Sequence, residues 1–282
     1  MKFKLNTLVA AVVLSVTAMS ANAAFSSNGG NSELVFSAWD AVAGVGYTYD
    51  LNWDKFLNNL VGSDQFTTAS GNATLLANAK VSTSLIGTNG IVFDDVLTGL
   101  PFAGASLENA QWNLVAFDNV GRTRLLITQD VNGLPHTPTN NQEKEAVTLI
   151  NFQTVTSNGF AVDLTADDSY AVTSTADIAG YAGIYGAGYN GTLAKTTNAF
   201  GATSNLFFLA QTTQVSSAAP SFVQQLTSVA GESIVAKTYL QDGQWRLQIA
   251  AVAAVPEPET YAMLLAGLGF IGAIARRRNK QA

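Results

Sequence analysis

The sequence predicts a mainly β protein: an antiparallel sandwich or barrel-like domain with two or three short helices, followed by a single C-terminal transmembrane helix. Only 12% of the residues are charged, about half the usual share, which excludes a coiled coil and a disordered acidic tail. The 24 glycines, with many Thr, Asn and Ser residues, favour short strands and frequent turns. Several segments also alternate apolar and polar residues with the two-residue period of a strand.

Two hairpins are predicted from their turn residues. One joins strands over residues 112–117 and 122–128 through Asp118-Asn119-Val120-Gly121. The other joins residues 233–240 and 245–252 through the Asp242-Gly243 pair, which accepts the positive φ angles of a two-residue turn. Further strands are predicted at residues 34–39, 46–51, 159–164 and 205–211.

Helical patterns are fewer. Residues 52–60 place Trp53, Phe56 and Leu57 on one face, and residues 140–152 begin with capping residues and an acidic first turn. A third helix is predicted over residues 220–229, because Pro220 stands near its start.

Charge and composition exclude several functions. Residues 24–254 carry eight basic and eighteen acidic side chains, so this region repels phosphate backbones and a nucleic-acid partner is not expected. The chain has no cysteine, which excludes disulfides, thiolate zinc sites and a cysteine nucleophile. The single histidine, His136, lies in a Pro-flanked turn, and no nucleophile elbow or phosphate-binding loop occurs. We therefore predict no catalytic residue, no metal and no cofactor.

The carboxylates leave alternatives open. Three groups of residues are candidates for binding Ca²⁺: Asp94-Asp95, Asp163 with Asp167-Asp168, and the fragment from Asp130 to Gly133. The spacing of a calcium loop is absent, so solvated turn carboxylates are the preferred interpretation. A glycosidase needs two carboxylates about 5–10 Å apart across a cleft, and the eighteen acidic residues of the central region leave this alternative open.

Aromatic residues offer two further interpretations. The Gly- and Tyr-rich segment 180–191 is either a loop with aromatic contacts or a surface on which sugars stack. In the alternative of a small-ligand binder, Trp39, Trp112 or Trp245 would line an apolar pocket.

The N-terminal residues have the features of a secretory signal. Lys2 and Lys4 precede a mostly apolar stretch over residues 5–19, and Ala21 and Ala23 are the small residues that signal peptidase reads. We predict cleavage between Ala23 and Ala24.

The C-terminal residues form a second ordered pattern. Pro256-Glu257-Pro258 precedes an apolar run over residues 261–275, and Arg276-Arg277-Arg278 follows directly. The two prolines favour an extended, exposed chain. The apolar run gives a helix of about 22 Å, so flanking residues must complete a bilayer span of about 30 Å. The arginines place the C-terminus on the cytoplasmic side.

This pattern resembles the PEP-CTERM sorting signal of Gram-negative bacteria. The resemblance implies that Pro256, Glu257 and Pro258 are the sorting motif, read by the membrane enzyme exosortase, and that Arg276, Arg277 and Arg278 retain the tail in the inner membrane. It also implies an exopolysaccharide or biofilm context. Similar tails are described as the C-terminal domain of ice-binding proteins, but Thr-x-Thr occurs only at residues 137–139, 154–156 and 173–175, too few for an ice-binding face.

Together these features predict a signal peptide (residues 1–23), a β-rich extracytoplasmic domain (24–251) and a sorting signal (252–282) with a transmembrane helix at about 259–275. The expected protein is exported, transiently anchored, and non-catalytic, with a structural or adhesive role in the envelope or extracellular matrix and polysaccharide as a candidate partner. The alternative is a secreted carbohydrate-active enzyme or carbohydrate-binding module that uses Asp or Glu and exposed aromatic residues.

Overall fold

The structure is a computed structural model that describes residues 34–51, 80–118, 123–130, 137–149, 170–176, 181–183, 193, 196–212 and 218–252. The chain divides into two units, Met1–Val252 and Ala253–Ala282. All described residues belong to the first unit. Among them, no helix has the length and apolar character needed to cross a bilayer, and the predicted transmembrane helix lies outside this part of the chain.

Most of the described residues form short strands. The strands are β1 (Val35–Asp40), β2 (Val45–Asp50), β3 (Lys80–Val81), β4 (Ile91–Val96), β5 (Gln111–Asp118), β6 (Arg124–Asp130), β7 (Tyr170–Ser174), β8 (Asn198–Ala199), β9 (Thr203–Ala210), β10 (Phe222–Gln225), β11 (Thr227–Ser228), β12 (Ser233–Gln241) and β13 (Gln244–Val252). The helices are α1 (Ala105–Asn109) and α2 (Asn140–Leu149), with 3-10 turns at Thr83–Leu85 and Thr88–Gly90.

These strands belong to one 13-stranded sheet. The central order is β4-β13-β12-β9-β6-β5-β1-β2-β7; β10 pairs with β9, β11 pairs with β12 and β8 pairs with β5. The pairing of β11 with β3 is parallel, whereas the other described pairs are antiparallel. The prediction of a mainly β protein is confirmed, but the sheet is mixed rather than purely antiparallel.

The sheet has two arms, β4, β13 and β12 at one end and β1, β2 and β7 at the other, and both contribute to one hydrophobic core. Phe36, Trp112 and Phe208 are buried there, and the rings of Phe36 and Trp112 stack with centroids 5.7 Å apart. Near the ends of the sheet, β2 meets β4 and the loop after it through side chains. Tyr47 Oη donates to the carbonyl of Thr98 at 2.8 Å, and Tyr49 Oη donates to Asp95 Oδ2.

Local sequence predicted both hairpins correctly. Asp242 and Gly243 have φ angles of 51° and 78°, which give β12 and β13 a tight connection. Strands β5 and β6 pair as expected, with Val115 opposite Ile127. The helix predicted from residue 140 is confirmed as α2, where Thr139 caps the N-terminus: its Oγ1 accepts from the Gln142 backbone N–H, and Gln142 Oε1 accepts from the Thr139 N–H.

The prediction of a helix over residues 220–229 is wrong. This segment forms β10 and β11 instead, and Val223 lies opposite Leu209 of β9. Strand β12 pairs with only the first part of β9, so the second part has a free edge that β10 completes. The predicted helix at residues 52–60 and strand at 159–164 lie outside the described residues.

Candidate functional site

A polar and aromatic patch lies on the outer face of strands β4, β12 and β13. Asp94 lies opposite Gln248, and Gln248 lies opposite Lys237, which makes one row across the three strands. Tyr239 lies opposite Arg246 in the adjacent row. Residues directly opposite each other in a sheet share a face. We call these five residues the outer patch.

Asp94 is the centre of the outer patch. Its carboxylate accepts hydrogen bonds from Tyr239 Oη at 2.7 Å, Arg246 Nε at 2.8 Å and Gln248 Nε2 at 2.7 Å. Burial alone would raise the pKa of Asp94, but these hydrogen bonds and the Arg246 charge outweigh it, so the pKa lies below the ordinary value. Asp94 is therefore ionised at neutral pH and engaged by three donors.

The outer patch holds its aromatic and cationic groups in fixed positions. Burial and the hydrogen bond to Asp94 raise the pKa of Tyr239, so the phenol stays protonated. The hydrogen bond to Asp94 also raises the pKa of Arg246. Lys237 Nζ lies 4.9 Å from the centroid of the Tyr239 ring, within the range of a cation–π contact. The arrangement suits recognition of a polar ligand more than proton transfer.

Asp95 does not pair with Asp94, although the two are adjacent. Successive residues of a strand point to opposite faces, and Asp95 accepts from Tyr49 Oη on the core side. Its other oxygen accepts from the Val96 backbone N–H at 2.7 Å. Both residues therefore lie in a strand with bonded partners, which corrects their interpretation as solvated turn carboxylates. No cluster of metal-binding side chains occurs in the described ranges.

A buried carboxyl that sequence reasoning missed lies on α2. Glu143 has no exposed surface, and no hydrogen bond of standard geometry reaches either carboxyl oxygen from the described residues. Burial raises the pKa of Glu143 to about 8, against a smaller opposing effect of the Ser221 hydroxyl. The carboxyl is therefore largely protonated at neutral pH.

Asn140 explains how the first turn of α2, which carries Glu143, is held in place. Its Oδ1 accepts from Thr212 N at 2.9 Å and from Ser221 Oγ at 3.1 Å, and its backbone carbonyl accepts from Gln211 Nε2 at 2.8 Å. These contacts join the first turn of α2 to the residues that follow β9 and precede β10. Nothing in the local sequence around residue 140 indicates these distant partners.

A row of buried amides forms a second feature that sequence reasoning missed. Asn113 and Gln129 are buried on β5 and β6, and no partner for either side-chain amide exists within the described ranges. Asn113 lies opposite Ser37, and Gln129 lies opposite Asn205. The only signal in the sequence was an amide within an otherwise apolar strand pattern.

The aromatic candidates have mainly structural positions. Trp112 is buried and donates from Nε1 to the Ala199 carbonyl at 2.8 Å. Trp39 packs with Tyr181 and Ala182 in a separate buried cluster, so Tyr181 is not available to stack on a sugar. Trp245 is half-buried against Phe200, with ring centroids 5.2 Å apart.

Other predicted sites lie outside the residues that the structure describes. They are His136, Asp163, Asp167, Asp168, the signal cleavage site at Ala23 and Ala24, the sorting motif at Pro256, Glu257 and Pro258, and the retention cluster at Arg276, Arg277 and Arg278. Asp130 ends β6, but the three residues after it in the calcium-loop fragment are also outside this part of the chain.

The described domain is thus a β-sheet body with one organised polar surface, and its last strand leads directly into the tail. Residues 254–279 match the family model of the PEP-CTERM protein-sorting motif. The chain therefore carries the signal of an exported protein that undergoes exosortase-dependent sorting. No curated protein and no solved structure matches the chain.

Proposed function

We propose that this protein is exported through the inner membrane, held there transiently by its tail, and released by exosortase to the envelope or extracellular matrix. There its β domain has a non-catalytic structural or adhesive role. The observation that carries the proposal is the sorting match at residues 254–279, which begins just after β13 ends at Val252. Processing at the Pro-Glu-Pro tract would leave every described strand in the released product.

Replacement of Pro256, Glu257 and Pro258 by alanine tests the sorting step. We expect the variant to accumulate in the membrane fraction with its tail uncleaved, because exosortase would lose the tripeptide and the extended backbone that the prolines enforce. Immunoblotting of cell fractions and the intact mass of the released protein measure the result. Glu259→Ala is the matched control, since it removes the same charge outside the tripeptide. Normal release of a normally processed triple variant would contradict the proposal.

The adhesive role is supported by the outer patch. Arg246 and Gln248 each donate one N–H to Asp94 and carry further N–H groups, and Tyr239 adds an aromatic ring with a hydroxyl, a combination that suits sugar hydroxyls and rings. Asp94 fixes these donors in advance, which lowers the entropy cost of binding. We therefore infer that extracellular polysaccharide contacts this face. Asp94 and Asp95 lie on opposite faces and do not supply the facing carboxylate pair of a glycosidase.

Arg246→Ala tests this contact in the secreted protein. We expect its affinity for the extracellular polysaccharide of the producing cells to fall about tenfold, because one charged hydrogen-bond donor is lost. Affinity electrophoresis measures binding, and Gln244→Ala, exposed on the same hairpin, is the control. Unchanged binding of a folded Arg246→Ala protein would contradict the role of the outer patch. Release of reducing ends from the polymer would instead favour the carbohydrate-active enzyme.

A further inference from the structure

Exposed apolar side chains gather at the end of the sheet from which the tail leaves. Val252, the last residue of β13, is 44% exposed, Val229 after β11 is 58% exposed, and Leu85 in the 3-10 turn after β3 is 38% exposed. The other two large exposed apolar residues in the described ranges, Val42 and Leu240, lie elsewhere. We call Leu85, Val229 and Val252 the tail-end surface.

The strand register brings Val252 and Val229 to one edge of the domain, and Leu85 lies in the turn that follows β3 at this edge. Val252 lies opposite Ser233, Ser233 lies opposite Thr227, and Thr227 lies opposite Lys80, in a row across β13, β12, β11 and β3. Val229 follows Thr227 by two residues, and its backbone N–H donates to the Val81 carbonyl at 3.1 Å. Leu85 follows Val81 by four residues, in the turn that this strand enters.

The length of the chain after Val252 limits how far this edge can lie from a bilayer. Six residues, Ala253 to Pro258, separate it from the predicted transmembrane helix. Even fully extended, they reach about 22 Å. Part of that distance crosses the headgroup layer, which adds about 5–8 Å on each side of the hydrocarbon core. While the tail is inserted, the edge that carries Val252 is therefore confined near the lipid surface.

We propose that the tail-end surface binds the headgroup region of a phospholipid bilayer as long as the sorting tail is attached, a proposal that rests on the tail anchoring described above. Leu85, Val229 and Val252 contact the acyl boundary, and the exposed Lys80 in the same strand row faces anionic headgroups. Three small apolar contacts give only marginal binding without a second anchor. The tail raises the local lipid concentration, so its removal releases the domain.

The absence of cysteine makes the test direct, since a single introduced cysteine carries a single fluorophore. Thr83→Cys places the environment-sensitive dye NBD beside Leu85, and Gln244→Cys places it at the opposite end of β13. The tail-bearing chain is reconstituted in vesicles of phosphatidylethanolamine and phosphatidylglycerol that contain nitroxide-labelled headgroups. We expect at least about twofold stronger quenching, and a blue-shifted emission, at position 83 than at position 244.

Replacement of the surface itself completes the experiment. Leu85→Ser, Val229→Ser and Val252→Thr, combined in the Thr83→Cys protein, should reduce quenching at position 83 to the level found at position 244. Leu240→Ser removes an equally exposed apolar side chain from the far end and should leave the quenching unchanged. Equal quenching at both positions in vesicle-bound wild-type protein would overturn the docking while leaving tail anchoring intact. A tail-bearing chain that fails to float with vesicles would overturn both.

Discussion

Glu143 shows how one residue can set the pH response of the domain. Its carboxyl is buried on α2, and the contacts of Asn140 hold that helix turn against the ends of β9 and β10. Burial favours the neutral acid, so the folded state binds a proton that the unfolded chain releases at much lower pH.

The sign of the pH dependence follows from this difference. The ordinary pKa of a Glu side chain is 4.5 and the folded value is about 8, so between these pH values the folded state binds more protons than the unfolded state. The free energy of unfolding therefore falls as pH rises through this window and is lowest above pH 8. Near neutral pH the loss is on the order of 3 kcal/mol relative to acidic conditions.

Glu143→Gln should remove this dependence. We expect the variant to match the wild-type stability near pH 5 and to exceed it by a few kcal/mol near pH 8, because the amide cannot ionise. Urea unfolding at both pH values measures the difference. Glu145→Gln changes an exposed carboxyl on the same helix and should keep the wild-type profile. A Glu143→Gln profile as steep as that of the wild type would show that another group titrates.

At the scale of single elements, local chemistry explains what the sequence could predict. The Asp242-Gly243 pair determines the turn of its hairpin from two residues alone, since both adopt positive φ angles. The start of α2 follows in the same way from the reciprocal hydrogen bonds of Thr139 and Gln142. Both features depend on contacts within a few residues, which periodicity and capping rules capture.

Elements that depend on distant partners were beyond such rules. The segment from Pro220 became strands because β9 has a free edge there, and that edge exists only after β12 diverges from β9. The outer patch has the same origin: Asp94 is 145 residues from Tyr239 and 152 residues from Arg246. The sequence identified the Asp94-Asp95 pair as a candidate but did not predict β4. Without that strand, it could not be predicted that the two carboxylates lie on opposite faces.

At the scale of the whole molecule, the sheet depends on contacts between its two arms. Tyr47 and Tyr49 project from β2 toward β4 and the following loop, where their hydroxyls donate to the Thr98 carbonyl and the Asp95 carboxylate. The Tyr47 ring also stacks on Tyr170 of β7, with centroids 5.8 Å apart. Strands β2 and β7 are also joined by backbone pairing, whereas the two hydroxyl contacts connect β2 to β4 and its loop, which no backbone ladder joins to β2 in the described sheet. The hydroxyl contacts therefore link the two arms in one cooperative unit.

Tyr49→Phe should measure how much the contact between the two arms contributes to the free energy of unfolding. The variant keeps the ring but loses a hydrogen bond to a carboxylate, a contribution of about 1.5–3 kcal/mol. We expect a lower midpoint of urea unfolding with an unchanged slope, because the folded and unfolded states would expose the same surface. Tyr170→Phe is the matched control, since the contact described for Tyr170 is ring stacking, and it should shift the midpoint little. A shallower slope or two separate transitions for Tyr49→Phe would mean that the arms unfold independently. Equal midpoints for the two variants would show that the contact between the arms depends on ring packing alone.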